Sequence, residues 1–98
     1  MLTHIVVWKY RTDVEQFARE EHVRLLSKLR TIVPEVRSLV VGFDILHLPR
    51  SYHTGLVVVF DDRAGLDAYN IHPEHVRVAE FGRQISEHVA SVDFTHDE

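Results

Sequence analysis

The sequence predicts an α+β domain, a four-stranded antiparallel sheet with helices packed on one of its faces. Two observations carry this. Runs rich in β-branched and aromatic residues recur at four places along the 98 residues, and the stretches between them carry apolar residues at helical spacing. A proline then splits the second helical stretch, which gives the order β-α-β-β-α-α-β, the split β-α-β arrangement of ferredoxin-like folds.

Each element has a local reason. Leu2 to Tyr10 is dense in strand formers. Asp13 is placed to cap a helix in which Val14, Phe17, Ala18, Leu25, Leu29 and Ile32 recur at helical spacing until Pro34 ends it. Val36 to Ile45 returns to strand character, with Leu39, Val41, Phe43 and Ile45 on one parity. Leu46 to Thr54 is a loop carrying Pro49, and Gly55 to Phe60 a third strand. Arg63 to Tyr69 forms a short helix, Pro73 to His88 a longer one, and Val89 to Phe94 a closing strand. Residues 1–98 form one domain, with no repeat or linker.

The strands are apolar on both parities. His4, Val6 and Trp8 alternate with Ile5 and Val7; Leu56, Val58 and Phe60 alternate with Val57 and Val59. Helices on one side cover only one face. Burying a Val or Ile side chain is worth about 1.5–3 kcal/mol, so the second face needs a cover from outside the chain. Sheet-to-sheet pairing in a two-fold homodimer supplies it.

Composition narrows the function. The formal net charge is −4, and Arg24, Lys28 and Arg30 are interleaved with apolar residues rather than gathered into a stripe, which argues against a nucleic-acid partner. The apolar runs Ile5 to Trp8 and Leu56 to Phe60 fall far short of the roughly 20 residues that span a bilayer. No signal-peptide pattern opens the chain, so the cytoplasm is the expected location. There are no cysteines, hence no thiolate metal sites and no cysteine nucleophile.

The densest chemistry lies in Tyr69-Asn70-Ile71-His72-Pro73-Glu74-His75, a phenol and two imidazoles at a helix break. Pro73 suits the first turn of a new helix, and the residue before it, His72, is pushed toward an extended conformation. His75 then falls in the first turn, where unpaired N–H groups and the helix dipole disfavour a positive charge. A neutral imidazole there is a proton acceptor near pH 7. His72 and His75 stand three residues apart, but a metal site needs at least a third ligand, from His4 or His22, in apolar surroundings. No metal is expected.

The segments Thr3-His4-Ile5-Val6-Val7-Trp8-Lys9-Tyr10, Ile32-Val33-Pro34, Leu66-Asp67-Ala68-Tyr69 before His72-Pro73-Glu74-His75, and Val92-Asp93-Phe94, together with Gly42 before the loop, resemble the stress-responsive dimeric α/β-barrel family (Dabb). The resemblance implies a ferredoxin-like protomer paired into a barrel in a homodimer. A plant branch of that family, the olivetolic acid cyclase-like polyketide cyclases, performs aldol condensation without a cofactor. Carried over residue by residue, it implies His75 as general base, Tyr69 as hydrogen-bond donor to the developing enolate oxygen, and His4 as the residue orienting the substrate. Val6, Trp8, Leu56, Val58 and Val78, with His22 and His72, would line the site of a small, mostly apolar carbonyl compound. This chain has His22, Val23 and Leu26 where the cyclase's first helix is aromatic, which argues against a long alkyl chain on the substrate. Two other readings stand beside it: a stress-associated protein that binds a small ligand or a partner without chemistry, and a cofactor-free monooxygenase of similar barrel fold, for which Trp8 and Asn70 are suitable residue types.

Overall fold

The structure is a computed structural model that describes residues 1–97. The chain runs β1 (Leu2–Tyr10), α1 (Gln16–Ile32), β2 (Ser38–Phe43), β3 (Thr54–Phe60), α2 (Arg63–Ile71), α3 (Pro73–Ile85) and β4 (Ser86–Thr95). Among the described residues the four strands form one antiparallel sheet in the order β2-β3-β1-β4. The expected element order and fold class are therefore the ones observed.

Alternation along β1 builds the core. Leu2, His4, Val6, Trp8 and Tyr10 are buried on the helix side, and Thr54, Leu56, Val58 and Phe60 face the same way from β3. Three helices close this side. α1 contributes His22, Leu26 and Leu29, α2 contributes Gly65, Leu66 and Tyr69, and α3 contributes Val78, Gly82 and Ile85.

Four local expectations are corrected. Asp13 does not cap α1: its carboxylate accepts from the Arg11 guanidinium at 3.1 Å, residues 11–14 form a turn, and the helix starts only at Gln16 without a side-chain cap. The buried stripe of α1 is not the expected one, since Phe17 is 76% exposed while His22 is fully buried. β2 ends at Phe43 rather than Ile45. The Asp44 carboxylate accepts the His47 N–H at 2.6 Å and His47 takes a positive φ, so the chain turns away and leaves Ile45 and Leu46 exposed. α3 also stops at Ile85, three residues early, because β1 captures the following segment: Tyr10 pairs with Ser86, Lys9 with His88, and the Arg11 N–H donates to the Ile85 carbonyl at 3.0 Å.

The far end of the core is polar. The Tyr10 hydroxyl bonds His22 Nδ1 at 2.8 Å and Thr54 Oγ1 at 2.7 Å, and the His22 ring packs edge-on against Trp8. Gly82 makes this possible, because a Cβ there would lie 2.7 Å from His22 Nε2 and 3.1 Å from Trp8 Nε1. Burial lowers the His22 pKa from 6.5 to about 4. The folded pKa is thus below the unfolded one. The stabilisation from keeping His22 neutral is fully present above about pH 6.5 and is lost as the pH falls toward 4. It amounts to about 3 kcal/mol. Urea unfolding from pH 7 to pH 4 is expected to show that loss, and a His22→Gln variant, which keeps a partner for Tyr10, is expected to flatten the slope. An equal slope in the variant would assign the acid sensitivity elsewhere.

The opposite face of the sheet has no cover among the described residues. Ile5, Val7, Val57 and Val59 are half-buried, and Val40, Val92 and Phe94 are exposed at 66%, 54% and 45%. A patch of this kind marks a protein interface. Sedimentation at micromolar concentration is expected to give a mass near twice 11.4 kDa, and Val57→Asp is expected to abolish the dimer by placing an unpaired charge in the apolar contact. A soluble wild-type monomer would contradict the argument from the two faces.

Candidate functional site

The helix break positions the site. α2 starts at Asp62, whose carboxylate accepts the Gly65 N–H at 3.0 Å, and seven residues later Tyr69 points into the core. The chain then breaks at His72 (φ −62°, ψ 132°), and Pro73 opens α3. The His72 side chain is the N-cap of α3: its Nδ1 accepts the Glu74 N–H at 3.1 Å. His75 follows as the third residue of the new helix and packs against Tyr69 with the rings tilted by 46° and their centroids 4.3 Å apart.

His75 Nδ1 lies 3.2 Å from the Asn70 carbonyl oxygen. That oxygen only accepts, so Nδ1 carries the proton and Nε2 is left as a free base. Burial lowers the His75 pKa, the Asn70 carbonyl opposes the change, and the positive forms of His4, His72 and Arg83 reinforce it. The imidazole is therefore neutral at pH 7.

Tyr69 is fully buried and its hydroxyl has no hydrogen-bond partner among the described residues. Burial raises its pKa well above the ordinary phenol range, so the group stays a neutral donor. Its ring touches Phe60 at 5.2 Å and, edge to face, His4 at 5.9 Å. His4 comes from β1, where it stands opposite Asp93 on β4, and its Nδ1 donates to the Asp93 carboxylate. Two imidazoles with fixed tautomers thus flank one unpartnered hydroxyl. Leaving a buried hydroxyl unbonded costs about 1–3 kcal/mol, a cost that a carbonyl oxygen of a bound molecule would remove.

The structure brings His75, Tyr69 and His4 together. The other expected site residues sit differently. Val6, Trp8, Leu56, Val58 and Val78 are packed into the core rather than lining an open cavity, and His72 serves as the helix cap. His22 belongs to the Tyr10 end of the core, beside Trp8, four residues and roughly 13 Å along β1 from His4. A cleft of about 700 Å³ lies alongside, between α2 and β4, with Leu2, Leu66 and Phe94 as apolar wall and Arg63, Asn70 and Asp93 among its polar groups. The three rings do not line it, but Asn70 and Asp93, the residues that hold His75 and His4, do. Asp93 and the Asn70 carbonyl had no place in the sequence-based site. The signal for Asp93 was its strand register opposite His4, which the pattern of β4 alone does not fix. Among the described residues, no three His, Asp or Glu side chains come together as metal ligands, and no helix is long and apolar enough to cross a membrane.

The chain is 26% identical over 94 residues to the olivetolic acid cyclase of Cannabis sativa, covering 94% of this chain and 93% of the cyclase. Its fold matches a dimeric ferredoxin-like protein of unknown function from Thermobifida fusca with a TM-score of 0.88, at 24% identity over 97% of this chain and 90% of that one. It also matches the hydroxynitrile lyase of Passiflora edulis, with a TM-score of 0.87 at 18% identity over 99% and 94% of the two chains. The family model of the stress responsive A/B barrel domain covers residues 2–96, nearly the whole chain, and the protein belongs to that family, Dabb.

Proposed function

We propose that this protein binds a small, mostly apolar carbonyl compound at Tyr69, His75 and His4 and removes a proton from the carbon next to the carbonyl, in aldol-type or C–C lyase chemistry that needs no cofactor. The observation that carries the reading is the buried Tyr69 hydroxyl, without a partner and flanked by two imidazoles. His75 Nε2 is the base. Tyr69 donates to the carbonyl oxygen, and that bond strengthens as negative charge develops on the enolate. His4 orients the substrate. The likeness to a cyclase and to a lyase, both of which make or break carbon–carbon bonds, supports this class of reaction.

A second reading, a ligand-binding or partner protein without chemistry, draws support from the close packing around Tyr69 and of the apolar residues beside it. Hydrogen exchange separates the two. In deuterated water the α-hydrogens of a bound ketone are expected to exchange in the presence of the protein. His75→Ala is expected to slow this by about 10²–10⁴-fold with binding largely intact. Tyr69→Phe is expected to cost less, about a hundredfold, since it removes one donor and keeps the ring. Exchange no faster than with His75→Ala protein, across several bound ketones, would leave the binding reading in its place.

The pH dependence follows from the lowered pKa of His75. The free base is present above that pKa, so exchange is expected to rise with pH, level off once His75 is neutral, and track the titration of His75 in the NMR spectrum. Finding His75 to be the most basic of the eight histidines would remove the neutral base from the mechanism.

A further inference from the structure

Removing an α-proton requires one base and one donor to the carbonyl, which His75 and Tyr69 supply. The His4–Asp93 pair is left over. His4 Nδ1 is held by a carboxylate, not by a backbone carbonyl as in His75, and its Nε2 has no hydrogen-bond partner among the described residues. A carboxylate behind an imidazole fixes the tautomer and stabilises an imidazolium that forms during turnover. His4 is buried, whereas the Asp93 side chain is 38% exposed and lines the cleft between α2 and β4, with Arg63 facing it from α2. The buried ring therefore has a carboxylate bridge to water. On the inner side, Tyr69 from α2 and His75 from α3 face it.

We propose that His4, positioned by Asp93, is a second proton-transfer group of this site, acting on a substrate hydroxyl, and that the compounds turned over are β-hydroxy carbonyls and the aldol precursors that form them. This rests on the enolate reading above. In the cleavage direction the hydroxyl O–H breaks and its proton passes to His4 Nε2. The oxygen's electron pair forms a new C=O, and the bond between the carbinol carbon and the α-carbon breaks. That bond's pair enters an enolate whose oxygen takes the Tyr69 hydrogen bond, and the α-carbon takes a proton carried by His75. That proton comes from His4 through water in the cleft to the neutral His75 Nε2, so both imidazoles return to their starting state, and no electron enters or leaves. Asp93 does not touch the substrate. It is a positioning residue.

Two matched probes test this, benzylacetone for α-exchange and the acetone–benzaldehyde aldol adduct, which differs by one hydroxyl and releases benzaldehyde on cleavage. Asp93→Asn keeps a hydrogen-bonding side chain but not the charge. It is expected to lower the ratio of adduct cleavage to benzylacetone exchange by at least about tenfold, to remove the downfield Nδ1–H resonance of His4, and to recover part of the ratio in Asp93→Glu. An equal loss on both probes, or on neither, would reduce the pair to a structural contact. So would a wild-type protein that exchanges benzylacetone but cleaves no adduct. A wild-type protein that exchanges neither probe would instead take down the enolate reading itself, so the two failures are distinguishable.

Discussion

β1 has a neighbour on each side, and the period-two alternation of this one strand decides where the chemistry and the core fall. Its helix-side residues run from Leu2 through His4, Val6 and Trp8 to Tyr10. A slip of one residue would send all five to the opposite face. The ladder with β3 sets His4 opposite Val58, and the ladder with β4 sets it opposite Asp93. Apolar pairing on one side and polar pairing on the other thus meet at a single imidazole. The same strand explains the early end of α3, since the last residues of β1 recruit Ser86 to His88 into the sheet.

The helices answer to a different constraint. One continuous helix from Arg63 to Ile85 would carry Tyr69 and His75 six residues apart, and side chains six apart do not meet on a helix surface. The break at His72-Pro73 removes that obstacle. It brings the two rings to 4.3 Å and turns the Asn70 carbonyl, freed at the end of α2, toward His75 Nδ1. A carbonyl left unpaired by helix termination becomes the group that fixes a tautomer.

Much of this was legible in the sequence, and what was missed has a common cause. Periodicity and Pro73 placed the elements, and a residue pattern resembling the Dabb family matched Tyr69, His75 and His4. Side chains that bridge elements were not legible. Asp13 was assigned to a helix cap without regard to Arg11, which competes for it. His22 was assigned to the site because it stands on the first helix, which lines the pocket in the resembling cyclases, although it is a core residue whose burial depends on Gly82 from another helix. Asp93 stood only within the segment Val92-Asp93-Phe94 of the closing strand, with no partner assigned. Each of these depends on a partner distant in sequence, which local propensity does not encode.

The two ends of the core also show why one buried polar group is read as chemical and another is not. His22 Nε2 and the Tyr69 hydroxyl are both buried without a partner among the described residues. Around His22 the space is taken: its other nitrogen is bonded to Tyr10, the Trp8 ring packs against it, and Gly82 lies so close that even a methyl group would collide. A ligand has no place to stand there, and the unpaired nitrogen is a cost of packing. Tyr69 lies instead between two imidazoles whose Nδ1 atoms are already committed, each leaving a free Nε2, and their partners Asn70 and Asp93 open onto a cleft. The same defect, an unsatisfied polar atom, has at this end neighbours able to carry protons, and the residues that hold those neighbours line a cleft. It is this combination, rather than the histidines themselves, on which the proposed chemistry at the Tyr69 end of the core rests.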